Sequence, residues 1–326
     1  MTAIACGWLM RMRKQRTDAA SGLEAVASVV QRLAVLLSAG VVPAAGWGYL
    51  VHHVDAGILR AVADDALAGQ PVARSLISAV EAERETPLPG VDEQAWRGLA
   101  AAWQVASDAG ASLAPSLRQF ASSLRDLAQT ERDISVALAG PIATARMVMV
   151  LPVIGVLFGL ALGFNTLGVL FTTVPGWLCL VLGTALLLGA RSWNRRLVAR
   201  ARPVLSTPGL ELDLMAIAVS GGGSLDRAAS VVSRAQEECG LGAGSDSPAI
   251  DDVLSLSRRA GVPAAELLRS EAEEQRRTTR SAGQRAAATL AVTLMLPLGL
   301  CILPSFMLLG VAPLLIAIVS STVATF

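Results

Sequence analysis

Residues 147–190 read MVMVLPVIGVLFGLALGFNTLGVLFTTVPGWLCLVLGTALLLGA, with no Asp, Glu, Lys or Arg. As one helix, at roughly 1.5 Å per residue, this stretch would be about 66 Å long. The hydrocarbon core of a bilayer is only about 30 Å thick. A single span is therefore too long, and a hairpin of two fits. The polar or helix-breaking places inside it are Asn165-Thr166 and Thr172-Thr173-Val174-Pro175-Gly176, so the turn is expected at one of the two. Trp177 then falls near an interface, where an amphipathic ring is favoured. Arg146 flanks one end of the hairpin, and Arg191, Arg195, Arg196, Arg200 and Arg202 flank the other. Arginine collects on the cytoplasmic flanks of spans, so both ends are expected on that side.

A second uncharged stretch covers residues 286–326. Its strongest breaker is Gly310 to Pro313. A turn there leaves 286–309 for one span and 314–326 as an apolar tail too short for another. Pro297 and Pro304 should kink the span, with neighbouring helices re-satisfying the freed carbonyls. The expectation is an all-α membrane protein with three spans, its N-terminus inside and its C-terminus outside. Four spans are the alternative, if the last two share a tilted, kinked arrangement.

Every charge lies outside these stretches. Across 326 residues the chain is 53% hydrophobic and 16% charged, against about 25% charged in soluble domains. This excludes an ordinary soluble enzyme, and also a disordered chain, which would be polar and charge-rich. The net charge of +1 points to no nucleic-acid partner. Cys6, Cys179, Cys239 and Cys301 form no CxxC pair, so neither a zinc signature nor a disulfide framework is indicated. The opening MTAIACGWLM is apolar for ten residues, and Arg11, Arg13, Lys14 and Arg16 follow it. That order is the reverse of a signal peptide. Residues 1–22 read as an interfacial lead-in with a basic patch held in the cytoplasm.

The charged segments, 23–146 and 203–285, are joined to the hairpin through its basic flank 191–202, and both read as cytoplasmic helical domains. Leu113, Leu117, Phe120, Leu124 and Leu127 recur at helical spacing, as do Val29, Leu33, Leu36 and Leu37. No sustained alternation indicates a strand. The two segments also resemble each other. Leu33-Ala-Val-Leu-Leu-Ser38-Ala39-Gly40 and Met215-Ala-Ile-Ala-Val-Ser220-Gly221-Gly222 each end a helix at a small-residue turn. Ala109-Gly110 and Ala260-Gly261 each precede a long charged helix leading into a span that carries Leu-Pro, at Leu151-Pro152 and Leu303-Pro304. The offset between halves grows from about 151 residues at the later features to 182 at the first turns. Some 30 extra residues are therefore expected in the first half, within 47–94, with a loop at Glu85–Gly90. Gly140-Pro141 is the visible interruption of the first long helix, a hinge at the membrane.

This duplicated plan resembles the type II secretion system F-domain (GspF-like) family. Leu294-Met-Leu-Pro-Leu-Gly-Leu-Cys-Ile-Leu-Pro-Ser-Phe-Met-Leu-Leu309 is similar to the closing segment of TadC-type proteins of the tight-adherence (Flp) pilus, and residues 105–192 are similar to TadB-type proteins. TadB-type and TadC-type proteins are commonly separate chains with extra N-terminal spans, whereas here both F-domains lie on one chain. The resemblance implies a non-enzymatic inner-membrane platform. Such a platform couples a cytoplasmic secretion or pilus ATPase to pilin subunits held in the bilayer. A polytopic transporter built on an internal repeat is the alternative. Against it, the spans hold no charged residue, whereas a transport path usually does.

Few constellations suggest chemistry. Ser220-Gly-Gly-Gly-Ser224 follows a helix pattern and lacks the lysine of a phosphate loop, the only lysine being Lys14. His52-His53 point about 100° apart on a helix and cannot share a metal as an i, i+4 pair could. Asp64-Asp65 and Asp251-Asp252 have no EF-hand spacing. No catalytic residue, cofactor or metal is expected. Arg118, Arg125 and Arg132 lie seven apart on one helix face, and Arg276, Arg277, Arg280 and Arg285 cluster before the last span. Arg118, Arg125, Arg132, Arg276, Arg277 and Arg280 are candidates for contact with anionic lipid or an acidic partner. Gly155, Gly159 and Gly163 would allow close helix approach, and with it a homo-oligomer.

Overall fold

The computed structural model of the chain describes residues 2–51, 57–82, 90–161, 168–169, 171, 173–200, 208–242 and 248–323, and every regular element among them is helical. The chain divides into two compact units. A charged unit comprises residues 14–132 and 204–281, and an apolar unit comprises 1–13, 133–203 and 282–326.

The charged unit is built from α1 (Thr2–Ser38) from Lys14 onward, α2 (Pro43–Val51), α3 (Gly57–Leu67), α4 (Val72–Ala82), α5 (Gly90–Ala109) and the first part of α6 (Leu113–Ala161). After α7 (Val174–Arg200), which belongs to the apolar unit, come α8 (Leu210–Ser220), α9 (Leu225–Glu238), α10 (Pro248–Ala260) and the first part of α11 (Ala264–Thr293). These helices share one core. Leu33, Trp47, Leu59, Leu76, Leu99, Leu117 and Leu124 pack in it together with Leu212, Leu214, Met215 and Leu268. The segments 23–146 and 203–285 thus both contribute to a single core. The reason lies in α8. Its residues Leu212 to Ala218 are all buried, and a helix apolar all round needs cover on every side. Helix α5 supplies part of that cover by packing against both α8 and α9.

Six described helices end in turns on glycines in the left-handed region, α3 at Gly69 (φ 80°), α9 at Gly240 (66°) and four others. The four are Gly40 (φ 87°), Gly110 (70°), Gly222 (84°) and Gly261 (67°). They follow α1, α5, α8 and α10, and α6 and α11 begin three residues after the second and fourth. Helices α3 and α4 lie within residues 47–94. His52-His53 and most of the Glu85–Gly90 loop lie outside the described residues. Two glycines are fixed by contact. A Cβ on Gly221 would run into the carbonyl oxygen of Ala109, so α8 and α5 end against each other. Gly209 combines φ +78° with a backbone carbonyl, that of Ala272, 2.8 Å from where its Cβ would stand.

The apolar unit contains the start of α1, the end of α6, α7 and the end of α11. Beyond α11 the chain stays helical through α12 (Met295–Pro297), a π-helix (Leu298–Ile302), α13 (Leu303–Phe306), a second π-helix (Met307–Val311) and α14 (Ala312–Val323). The expected turn at Gly310–Pro313 is thus absent. Each π-helix ends two residues before a proline, Pro304 or Pro313. Proline removes an N–H and crowds the carbonyl four residues back. A widened turn relieves that crowding without breaking the helix. The buried stripe keeps the same count. Leu290, Leu294 and Pro297 follow helical spacing, and the next buried position is Ile302, one π-turn on. Helix α6 likewise runs unbroken through Gly140-Pro141, so the hinge expected there is not a break.

Large apolar side chains cover this unit's surface: Met147, Ile154, Phe158, Leu182, Leu300, Leu303 and Leu315 are all exposed. Interhelix contacts rest on small residues. Ser305, fully buried, donates to the carbonyl of Gly183 at 2.9 Å. Gly183 has no room for a Cβ beside Leu309, and Gly155 lies against Gly310 and Phe306. Gly155 therefore makes a contact within the chain rather than a free face for self-association. Gly163 lies outside the described residues.

Among the described residues, three helices are long and apolar enough to cross a membrane, at Ala20–Ser38, Val174–Asn194 and Ala264–Ile316. Two of them overlap the stretches expected to span, and the first does not. Ala20–Ser38, read from sequence as part of the charged segment, qualifies by composition, yet its Leu23, Val26, Val30 and Leu33 are spent in the protein core. The first arm of the hairpin ends α6 at Ala161, and Asn165-Thr166 lies outside the described residues. At the other candidate turn Thr173 is a bend, and its Oγ1 accepts from the backbone N–H of Gly176 at 3.1 Å, capping α7.

Replacing Gly209 by Ala should lower stability by about 1–3 kcal/mol, since strain and a carbonyl clash act together. Thermal unfolding of the detergent-purified protein checks this, and an unchanged melting temperature would refute it.

Candidate partner-docking site

The six arginines singled out by the sequence fall into two environments. Arg118 Nη2 donates to Ser38 Oγ at 2.7 Å, and Arg132 Nη1 meets Glu24 Oε2 at 2.7 Å. The partners on α1 descend as the positions on α6 rise, so the two helices run antiparallel along this seam. Arg125, between them, is exposed. This stripe stitches α6 to α1, and such exposed pairs contribute little stability.

The α11 cluster is different. Arg276 is buried, and its Nη1 pairs with Asp213 Oδ2 of α8 at 2.8 Å. Ser123 of α6 donates its hydroxyl to the same oxygen at 3.1 Å. Asp213 Oδ1 and Arg276 Nε have no hydrogen-bond partner. Burial raises the Asp213 carboxyl above the usual range, and Arg276 and Ser123 oppose that shift. Above this node, Arg276, Arg277 and Arg280 line a groove of about 350 Å3 together with Asp126, Leu127, Thr130, Pro208, Glu273 and Thr279. Arg277 is exposed and lies 3.7 Å from Glu273 and 3.9 Å from Glu274. Beneath, a cavity of about 10 Å3 reaches Asp213 past Ser123 and Leu127. Of the six arginines, the structure thus brings Arg276, Arg277 and Arg280 together and leaves Arg118, Arg125 and Arg132 elsewhere.

Sequence reasoning missed Asp213. Its signal was available: a carboxylate between Leu212 and Leu214 in a helix otherwise apolar on every face must find a partner when buried. Arg97 was missed as well. It joins Glu93 at 3.0 Å, Glu81 at 3.7 Å and the carbonyl of Cys239 at 2.9 Å, closing the end of α9 onto α5. Burial there pushes the Cys239 thiol up to about 11. The Ser220–Ser224 run is a helix-to-helix turn, with Ser224 capping α9 by accepting from the Arg227 N–H. Asp251 and Asp252 are exposed at the start of α10, and no metal-ligating cluster occurs among the described residues.

A greasy helical unit and a large charged helical unit with one core, linked by α6 and α11, define a helical membrane protein. Residues 29–161 match the family model described as Type II secretion system (T2SS), protein F. The matched stretch, less than half of the chain, runs from within α1 to the end of α6 and resembles a type II secretion F domain. That likeness points toward the platform proteins of type II secretion or type IV pilus-like machines. No curated protein and no solved structure matches the chain.

Two expectations follow for the buried node. Arg276→Met strands a buried carboxylate and should cost about 3–5 kcal/mol, much of it restored in Asp213→Leu/Arg276→Met. In the single variant the Asp213 carboxyl titrates still higher. Its folded form then holds a proton that the unfolded chain releases, so stability is greatest at low pH and falls as pH rises through the raised value. Melting temperatures from pH 5 to 8 should decline more steeply in Arg276→Met than in wild type. Parallel profiles would contradict this account.

Proposed function

We propose that the protein is a multi-pass inner-membrane platform of a type IV-like pilus, of the tight-adherence (Flp) kind, or of a type II secretion machine. In this reading it couples a cytoplasmic motor ATPase to pilin subunits in the bilayer and has no catalytic activity of its own. The observation that carries the reading is that α6 and α11 each contribute to both units, with the F-domain match ending where α6 ends. A motor in the cytoplasm has no direct access to subunits held in lipid. Helices continuous from a charged unit into spans give it one, because an unbroken helix moves as a rod.

The second charged segment, 203–285, is a second F-domain in this reading. The paired glycine turns and the matching starts of α6 and α11 support it. The TadB/TadC-like layout rests on the same correspondence. Both charged segments then face the cytoplasm, with Arg191, Arg195, Arg196 and Arg200 at the end of α7 holding that side.

Deletion of the gene should abolish surface filaments or secretion, and a tagged copy that restores them should co-purify with an ATPase from native membranes. Recovery of a bound small solute and no ATPase would favour the transporter reading instead. Topology needs its own probe, since Cys239 is buried and its thiol is pushed up to about 11. Ser122→Cys and Ser230→Cys, both exposed positions, should resist an impermeant maleimide in spheroplasts and react after permeabilisation. Labelling of either from outside would sink the cytoplasmic assignment.

A further inference from the structure

We infer that the groove between α6 and α11 is a docking slot for an acidic segment of a partner protein, with Arg276 as its pre-positioned anchor; this rests on the platform reading and says which surface does the docking. The groove lies wholly within the charged unit. Its floor is apolar, from Leu127 and Pro208, and α11 contributes three guanidinium groups to it, Arg276, Arg277 and Arg280.

Arg276 is the informative residue. It is more than nine-tenths buried, yet only Nη1 is engaged, and that with a single oxygen of Asp213. A guanidinium offers five N–H donors in a fixed fork, and Asp213 uses only the one at Nη1. Asp213 and Ser123 hold the side chain, so little ordering remains for a ligand to impose. Asp213 balances Arg276 from beneath, and Glu273 and Glu274 are at 3.7 Å and 3.9 Å from Arg277 in exposed, water-screened contacts that an incoming carboxylate can replace. Asp126, on the facing wall, sets a limit on the occupant. A strand of uninterrupted anionic charge would meet it, whereas a peptide can place carboxylates on the α11 side only. An acidic peptide therefore fits better than a lipid headgroup or free phosphate.

The test uses the full-length protein in detergent and fluorescein-labelled hexaglutamate as probe. Wild type should bind it, with affinity falling as salt rises. Arg277→Glu/Arg280→Glu should weaken binding about tenfold or more, while Arg118→Glu leaves it unchanged. Asp213→Asn, checked for an intact melting transition, should bind more tightly, because Arg276 loses its internal counter-charge. Three results would overturn the inference: no binding to wild type, equal binding to the double charge reversal, or hexalysine binding as well as hexaglutamate. Phosphatidylglycerol vesicles and inorganic phosphate form the last arm. If the double variant loses vesicle or phosphate binding and keeps hexaglutamate, the groove takes lipid or phosphate and the peptide slot is refuted. Filament output from the same variants separates the two readings. A null deletion strain restored to wild-type output by Arg277→Glu/Arg280→Glu would discard the slot and leave the platform standing.

Discussion

One buried carboxylate organises the charged unit. Asp213 sits in a helix surrounded on all sides, where an ionised group survives only if its charge and hydrogen bonds are met. Arg276 and Ser123 meet it, one from α11 and one from α6. Three helices far apart in sequence are thereby fixed at one point, and the fixing is directional in a way that leucine packing is not. A methyl group tolerates a shifted neighbour. A carboxylate oxygen at 2.8 Å from one donor and 3.1 Å from another does not. Two of the helices pinned there, α6 and α11, continue into the apolar unit. Stability alone would be served as well by an apolar trio of equal volume, so the pair is better understood as fixing the arrangement of α6, α8 and α11 than as strengthening it.

The apolar unit obeys different physics. In lipid, burying leucine against leucine gains little, because the lipid tails are as apolar as the side chains. Its helices are held by close approach instead. Gly183 admits Leu309, Gly155 admits Gly310 and Phe306, and Ser305 reaches a backbone carbonyl. The exposed leucines, valines and phenylalanines that would be a hazard in water are here the solvated surface. The two π-turns belong to the same economy of contacts. They absorb the prolines while keeping Ile302, Ser305 and Leu309 on the packed side. A break at Gly310–Pro313 would instead expose unpaired carbonyls to lipid, where each is expensive.

What the sequence made legible was whatever depends on composition or on one turn of helix. The uncharged stretches, the all-helical character, the four glycine turns and the starts of α6 and α11 could all be read from residue type and spacing. Three things could not. Breakers were read as breaks, yet Gly140-Pro141 and Gly310–Pro313 both lie within helix, because their neighbours decide whether a proline ends a helix or only widens it. Charge periodicity was read as an open docking face, yet Arg118 and Arg132 are paired with α1; which face of a helix is solvated is a tertiary fact. Nor could the charge segments show that both contribute to a single core. Only Leu212–Ala218 hinted at that, as a helix with no polar face and hence no side to leave uncovered.

The shared core also constrains how the two halves relate. Had each half folded alone, α8 would have exposed most of its apolar circumference, and α5 the face that carries Arg97 and Gln104 toward α9. The contact between Gly221 and the carbonyl of Ala109 joins the first turn of the second half to the second turn of the first. Helices α3 and α4 add to the first half alone. A pair of identical, independent bundles would present the same surface twice. Two interlocked and unequal halves present each surface once, and the groove is one such surface, since it needs α6 from one half, and Pro208 and α11 from the other.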